Sequence, residues 1–369
     1  MTSATSLSIF ASALPGLEPA LADELSGLGF PSVRSVPGGA EFRGGWPDVW
    51  RLNLWSACAG AVLIRLARFE ARHLRQLDER ARRVAWPATL RPGTRVLVEA
   101  SAAKSKLYHT GAIAERVATA LEAARCVPVT DREAAEARVL VRVVRDRVTI
   151  SLDTSGAPLF RRGYKRDVGA APLRETMAAA FLRMAGHDGG SVLDPFCGSG
   201  TLVIEAAARA AGLAPGRDRR FAFEAFRTFD EDAWAAMREA GRTRRPVLAS
   251  FVGSDRDASV VAAARANADR AGVADLVRFE TRSASEANPE GSAGLIIANP
   301  PYGERLGDAK ALMPLYRAFG GAVRARLGGW HVGLITSEER LARATGLDWA
   351  ARSAPVPHGP LKVWLWTTS

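Results

Sequence analysis

The stretch Ser191-Val192-Leu193-Asp194-Pro195-Phe196-Cys197-Gly198-Ser199-Gly200-Thr201 decides how the second half of this chain folds. A short apolar strand runs into an acid, then into a turn of small residues with two glycines, and a helical pattern starts near Thr201. Working outward, apolar segments at 191–194, 247–253, 277–280, 294–298, 331–336 and 361–367 alternate with longer helical runs from residue 171 onward. That alternation predicts an α/β domain with a mostly parallel sheet covered on both faces. Ligands of such sheets sit outside the carboxyl ends of the strands, near the point where strand order reverses.

The turn after Asp194 has the chemistry of a ligand site. Gly198 and Gly200 allow close approach of backbone N–H groups, and the helix from Thr201 aims its N-terminus inward. A carboxylate at this rim repels a pyrophosphate, and no Gly-Lys-Ser/Thr follows, so a nucleoside triphosphate or dinucleotide is disfavoured. A zwitterion suits the site better, its amino group on Asp194 and its carboxylate on backbone N–H groups. Phe251-Val252-Gly253-Ser254-Asp255 ends the next strand in a second acid, placed to accept ribose hydroxyls or to cap the helix that follows.

Downstream, Ala298-Asn299-Pro300-Pro301-Tyr302-Gly303 ends another strand in an amide, two prolines and an aromatic. An exocyclic amine on a nucleobase is a poor nucleophile because its lone pair is delocalised into the ring. Acceptors for both of its N–H groups favour a localised lone pair, and the Asn299 side chain and Pro300 carbonyl are such acceptors. Pro300 and Pro301 stiffen the turn, and Tyr302 offers a face for an unstacked base. The expected chemistry is in-line displacement at a sulfonium methyl, with S-adenosylmethionine as cofactor and no strong base required.

The rest of the chain bears on the partner. Of 369 residues, 50 are Lys or Arg and 39 Asp or Glu, for a net charge of +11. Residues 66–165 hold 20 of the basic residues against 11 acidic ones, the footprint of a polyanion partner. Only five of the fifty basic residues are lysine, so arginine richness by itself is weak evidence. Lys104 and Lys106 follow a strand at 95–100, and Arg161, Arg162, Tyr164 and Lys165 interleave charge with an aromatic in a linker, a pattern suited to RNA contact. Helices are expected at 17–28, 46–58 and 109–123, and strands at 33–42, 62–69, 137–144 and 147–152, which describes two small α+β units. Cys58, Cys126 and Cys197 are scattered and the five histidines are isolated, so neither a disulfide framework nor a metal site is expected. No apolar run reaches membrane-spanning length and residues 1–10 lack the features of a signal peptide, so a cytoplasmic location is expected. Glu205 reads as a structural partner rather than a catalyst, and Cys197 as a small packing residue.

Asp194–Thr201 together with Asn299-Pro300-Pro301-Tyr302-Gly303-Glu304-Arg305 resembles the THUMP-domain RNA guanine-N2 methyltransferases, and the resemblance extends over nearly the whole chain. Ser105-Lys106-Leu107-Tyr108-His109-Thr110 resembles the THUMP unit, and Ala171-Pro172-Leu173-Arg174-Glu175-Thr176 the first catalytic helix. Ala214-Pro215-Gly216 with Arg220-Phe221-Ala222-Phe223-Glu224 is similar to the branch acting on large-subunit ribosomal RNA. The resemblance implies a ferredoxin-like unit at 1–65, a THUMP-like RNA-binding unit at 66–155, a linker at 156–170 and a class I, Rossmann-like methyltransferase domain at 171–369. It implies a seven-stranded mixed sheet, S-adenosylmethionine, and N2-methylguanosine in 23S rRNA as product. Asp194, Pro195, Phe196, Cys197, Gly198, Ser199, Gly200, Thr201, Asp255 and Asn299 then hold the cofactor, and Asn299, Pro300, Pro301 and Tyr302 form the catalytic turn. Two positions depart from the family. Arg256 replaces an apolar residue against adenine, where its guanidinium can stack, and Ser283 stands in for an adenine-binding Asp.

Other acceptors fit the same turn: guanine N2 in tRNA, adenine N6 in DNA, or a glutamine amide. An inactive, RNA-binding assembly factor is the non-enzymatic alternative, against which the intact set of acids, glycines and Asn299 argues. The sequence sets no oligomeric state.

Overall fold

A computed structural model describes residues 6–166, 173–287, 291–303, 308–326 and 328–369. The N-terminal part contains β1 (Leu7–Ser12), α1 (Glu18–Gly27), β2 (Arg34–Val36), β3 (Gly39–Gly44), α2 (Trp46–Trp55), β4 (Val62–Glu70), α3 (Leu74–Ala81), β5 (Arg95–Ala103), α4 (Thr110–Ala123), β6 (Val127–Val129), β7 (Ala137–Val144) and β8 (Arg147–Asp153). These strands form one eight-stranded sheet in the order β2-β3-β1-β4-β8-β7-β5-β6. The two small units expected from the sequence share this sheet: β4 pairs antiparallel with β8, from Leu63 opposite Asp153 to Glu70 opposite Arg147. Each strand would otherwise present a row of unpaired backbone groups, and pairing them satisfies both edges at once. β4 spans residues 65 and 66, where the sequence reading draws a boundary, and its register with β8 shifts there between Arg65 and Ala67.

The segment Asp153-Thr154-Ser155-Gly156, between the strand expected at 147–152 and the linker expected from 156, is a buried polar knot. Asp153, Thr154 and Ser155 are essentially inaccessible. Asn53 of α2 donates to Thr154 Oγ1 at 2.9 Å and accepts from Ser155 Oγ at 2.6 Å. Ser155 Oγ in turn accepts from the Val62 N–H at 2.8 Å. The polar side chains thereby replace water, so burial leaves none of these bonds unmade.

The C-terminal part contains α5 (Glu175–Met184), β9 (Val192–Asp194), α6 (Thr201–Ala210), α7 (Glu231–Ala240), β10 (Phe251–Asp255), α8 (Ala258–Arg270), β11 (Val277–Thr281), β12 (Gly294–Ala298), α9 (Asp308–Arg326), β13 (Trp330–Thr336), α10 (Glu339–Ala344), β14 (Ala351–Arg352), β15 (Val356–His358) and β16 (Leu361–Thr367). The main sheet runs β11-β10-β9-β12-β13-β16-β14, a seven-stranded path, with β15 paired to β16. The first five strands in that order are parallel, and β16 runs antiparallel to β13. The strand order reverses at β9: α6 and α8 connect strands on one side of it, and α9 connects β12 to β13 on the other, so the right-handed rule for such crossovers assigns them to opposite faces.

Two details differ from the sequence reading. Residues 247–250 are not strand; β10 begins only at Phe251, and Leu248 is fully exposed. The edge strands β14 and β15 were not anticipated, since two or three residues cannot show a period. Ala171, Pro172, Glu304 and Arg305, used in the family resemblance, and linker positions 167–170 lie outside the described residues.

Candidate functional site

Parallel pairing delivers three strand ends to one rim. Asp194 of β9 stands opposite Gly253 of β10, and Val192 and Leu193 stand opposite Leu295 and Ile296 of β12. The turns after Asp194 and Ala298 therefore leave the sheet on the two sides of the strand-order reversal, where α/β sheets bind ligands.

The first turn is fixed from beneath. The Cys197 N–H donates to the Ser254 carbonyl at 2.9 Å, and the amide of Asn267, buried on α8, donates to the Ser199 carbonyl at 3.0 Å. Gly200 caps α6 with φ +84°, and a Cβ there would lie 2.8 Å from the Phe279 ring and 3.0 Å from Ala264. Gly198, at φ +48°, faces open space instead. Only glycine meets both demands, a left-handed backbone and no room for a side chain on the packed side. The Gly198 N–H donates to Asp255 Oδ2 at 3.2 Å, while Asp255 Oδ1 accepts from the Asp257 N–H at 3.0 Å. Asp255 thus ties the first turn to the second strand. Pro195, Ser199 and Thr201 are buried in the turn, and Phe196 rests edge-on against Phe319 of α9, 5.6 Å between ring centres. Cys197 is buried beneath Gly253, and burial together with the two acids pushes its thiol pKa far up, so it packs and does not react.

Asp194 is 1% exposed and accepts one hydrogen bond, from the Phe196 N–H at 3.0 Å. No cation pairs with it among the described residues. Burial, reinforced by the Asp255 charge, pushes its pKa up to about 8. A buried carboxylate without a counter-ion is costly, and a bound ammonium group removes that cost. These residues fit a zwitterionic nucleoside such as S-adenosylmethionine.

Arg256 and Ser283 border the same rim, because Asp255 and Thr281 are ladder partners and the Arg282 N–H donates to the Asp255 carbonyl at 2.9 Å. Both are exposed, and the Ser283 hydroxyl lies 3.0 Å from that of Ser285.

The second turn supplies the acceptor side. Asn299 is half-buried, and its Oδ1 is buried with no hydrogen-bond partner among the described residues. Pro300 is buried beside it and Pro301 is exposed. Tyr302 is only 8% exposed, so its ring is packed into the core rather than presented as an open stacking face, which corrects the sequence reading. Tyr316 of α9 donates its hydroxyl to the Pro301 carbonyl at 3.2 Å and fixes the turn from behind.

The expected RNA-contact residues divide. Lys104, Lys106 and Arg161 are exposed. Arg162 and Tyr164 are not: both are buried against Glu205 of α6, Arg162 as an ion pair and Tyr164 by a 2.7 Å hydrogen bond. Arg162 also donates to the Ala57 carbonyl at 2.6 Å, joining the N-terminal part to the catalytic one. Lys165 donates to the Leu173 carbonyl at 2.6 Å. The charge–aromatic pattern is here an internal clamp, which removes these three from the RNA surface. Burial and the Glu205 charge hold the Tyr164 hydroxyl firmly protonated.

Tyr316 and Asn267 escaped the sequence reading. Asn267 had a signal, a polar residue on the apolar Val261-Ala264-Ala268 stripe of α8. Tyr108 also stands out, 78% exposed beside Lys106. Among the described residues no group of three His, Cys, Asp or Glu gathers as a metal site, and no helix is long and apolar enough to cross a membrane.

The strand order, the acids at two neighbouring strand tips and the Asn-Pro-Pro-Tyr turn define a class I methyltransferase fold. Family models match along the chain: an RlmL ferredoxin-like domain over residues 8–63, a THUMP domain over 71–153 and the RMKL-like methyltransferase domain over 162–364. The chain belongs to this RMKL-like methyltransferase family. A ribosomal RNA large subunit methyltransferase K/L of Methylococcus capsulatus is 38% identical over 356 residues, covering 92% of this chain and 48% of the relative. The protein of the same name in Syntrophotalea carbinolica is 38% identical over 360 residues, covering 92% and 50%. The chain thus spans about half the length of the curated relatives it matches. The solved structure of SMU.472, a complex with SAH, superposes with a TM-score of 0.88 at 29% identity, covering 98% of this chain and 97% of that one.

Proposed function

We propose that this chain transfers a methyl group from S-adenosylmethionine to N2 of a guanine in large-subunit ribosomal RNA. The observation that carries the reading is the buried Asn299 Oδ1 at the tip of β12, across the strand-order reversal from the buried Asp194, the first without a hydrogen-bond partner and the second without a counter-ion among the described residues. Each lacks what the other side of the reaction brings: Asp194 a cation, Asn299 a hydrogen-bond donor. The names of the curated relatives support ribosomal RNA as the substrate class.

The bound cofactor supplies an electrophilic methyl on a positively charged sulfur. Asp194 holds its ammonium group, and Asp255 its ribose. Arg256 and Ser283 border the adenine. Asn299 Oδ1 and the Pro300 carbonyl accept the two N–H bonds of the guanine amine and turn its lone pair toward the methyl carbon. As the new N–C bond forms, the carbon–sulfur pair returns to sulfur, and the amine proton leaves for solvent afterwards. Lys104, Lys106 and Arg161 contribute exposed charge for the RNA backbone. On this reading residues 1–155 gather RNA, residues 171–369 perform the transfer, and the protein works in the cytoplasm where ribosomes are made.

Incubating the chain separately with ribosomal RNA and with tRNA in the presence of labelled S-adenosylmethionine, then analysing nucleosides by mass spectrometry, tests this. Label in N2-methylguanosine is expected. Label in N6-methyladenosine, or only in tRNA, contradicts it. Asn299→Ala is expected to retain cofactor binding and to lose turnover by about 10²–10³-fold.

A further inference from the structure

On the side of α6 away from the catalytic rim lies a cavity of about 480 Å³, walled by α1, α2, the segment around Arg162 and the catalytic domain. Seven guanidinium groups line it against three carboxylates. Most of that charge is spent internally. Arg162 pairs with Glu205, Arg217 with Asp218 and two backbone carbonyls, and Arg270 with the Tyr164 carbonyl. The Glu24 carboxylate is consumed by the Ser56 hydroxyl and by the N–H groups of Ala57 and Cys58. Arg183 pairs with Asp23 at 2.5 Å.

Arg166, Arg209 and Arg245 remain, and of these Arg209 and Arg245 also line a neighbouring hollow. Arg209, in the last turn of α6, is half-buried and makes no hydrogen bond or ion pair among the described residues. Burial and the adjacent Arg183 charge hold its pKa down, against the opposing pull of Glu24 and Asp188 nearby. Arg245 lies across Gly212, where a Cβ would stand 2.6 Å from its Nε. A second hollow, of about 590 Å³, shares both arginines. The first cavity is also lined by apolar side chains that include Leu28, Trp55 and Leu182. Forked cations beside an aromatic wall, in a volume of this size, suit a phosphate joined to a flat ring.

We propose that this cavity is a second ligand site, binding a phosphate-bearing nucleotide with its phosphate on Arg209 and Arg245 and its base against Trp55. The nucleotide comes either free from solution or as one unit of an RNA chain, whose next phosphate enters the second hollow. The site is separate from methyl transfer and stands or falls independently of it.

Calorimetric titration of the full chain with uridine 5′-monophosphate, inorganic phosphate and uridine tests the proposal. Uridine monophosphate has no exocyclic amine and does not mimic the target base. It is expected to bind at least about tenfold tighter than uridine, and Arg209→Ala to weaken it by about tenfold or more. Arg245→Ala, at an exposed position, is expected to weaken it several-fold with no change in thermal unfolding. Should Arg209→Ala fail to fold, Arg245→Ala decides. Competition by a uridine decanucleotide assigns the site to an RNA chain, and its absence to the free nucleotide. Failure of both phosphate and uridine monophosphate to bind the unmodified chain overturns the proposal, as does binding that neither variant weakens.

Discussion

Asp153 and Asp194 occupy matching places. Each ends a buried strand, each opens a turn of small residues with glycine, and each is almost wholly inaccessible. Their surroundings are opposite. Asp153 forms an ion pair with Arg138 and accepts from the Ser155 and Gly156 N–H groups at 2.8 and 3.3 Å. Among the described residues Asp194 accepts one N–H, faces a second acid and has no cation. The first carboxylate is completed by its own chain and serves structure. The second is left incomplete, and that incompleteness is the mark of a site for a cationic ligand.

The contrast can be broken in both directions. Arg138→Ala removes the counter-ion of a buried carboxylate and is expected to cost about 3–5 kcal/mol of stability, read by denaturant unfolding. Asp194→Asn is expected to do the reverse to the free protein. Between the unfolded value of 3.8 and about 8, the folded chain holds a proton that the unfolded chain has released. Stability from this group is therefore full below pH 3.8 and is lost as pH rises through about 8. The Asn variant should melt higher than the unmodified chain at pH 8 while binding S-adenosylmethionine about 10²-fold more weakly. A stabilised variant with unchanged affinity would detach Asp194 from the ligand.

A smaller effect sharpens the acceptor side. Tyr316→Phe removes the hydroxyl held by the Pro301 carbonyl and is expected to cost about 1 kcal/mol. Turnover should fall about tenfold with cofactor affinity unchanged, since the turn carrying Asn299 loses a support but no acceptor. Equal losses in turnover and cofactor binding would place Tyr316 in general packing instead.

The contrast also explains what the sequence could and could not tell. Both Asp turns are visible as acids followed by small residues, and the apolar strands leading to Asp194, Asp255 and Asn299 are legible from composition alone. Whether a carboxylate is completed is not legible, because completion is long-range. Arg162 and Tyr164 look like a basic, aromatic RNA contact until Glu205, about forty residues downstream, takes both. A longer separation hides the β4–β8 seam, where strands about eighty residues apart join the two expected units in one sheet. Tyr302 fails for a related reason: its aromatic character is evident, but the packing that covers its ring arrives from elsewhere in the fold.

The most direct test of the central claim, that Asp194 is held uncompensated for a cationic ligand, is calorimetry of S-adenosylmethionine binding at pH 6.5 in buffers of different ionisation enthalpy. Asp194 is protonated in the free protein at that pH, so binding should release about one proton from the unmodified chain and none from Asp194→Asn. Binding with no proton release, or the same release from both proteins, would contradict the account.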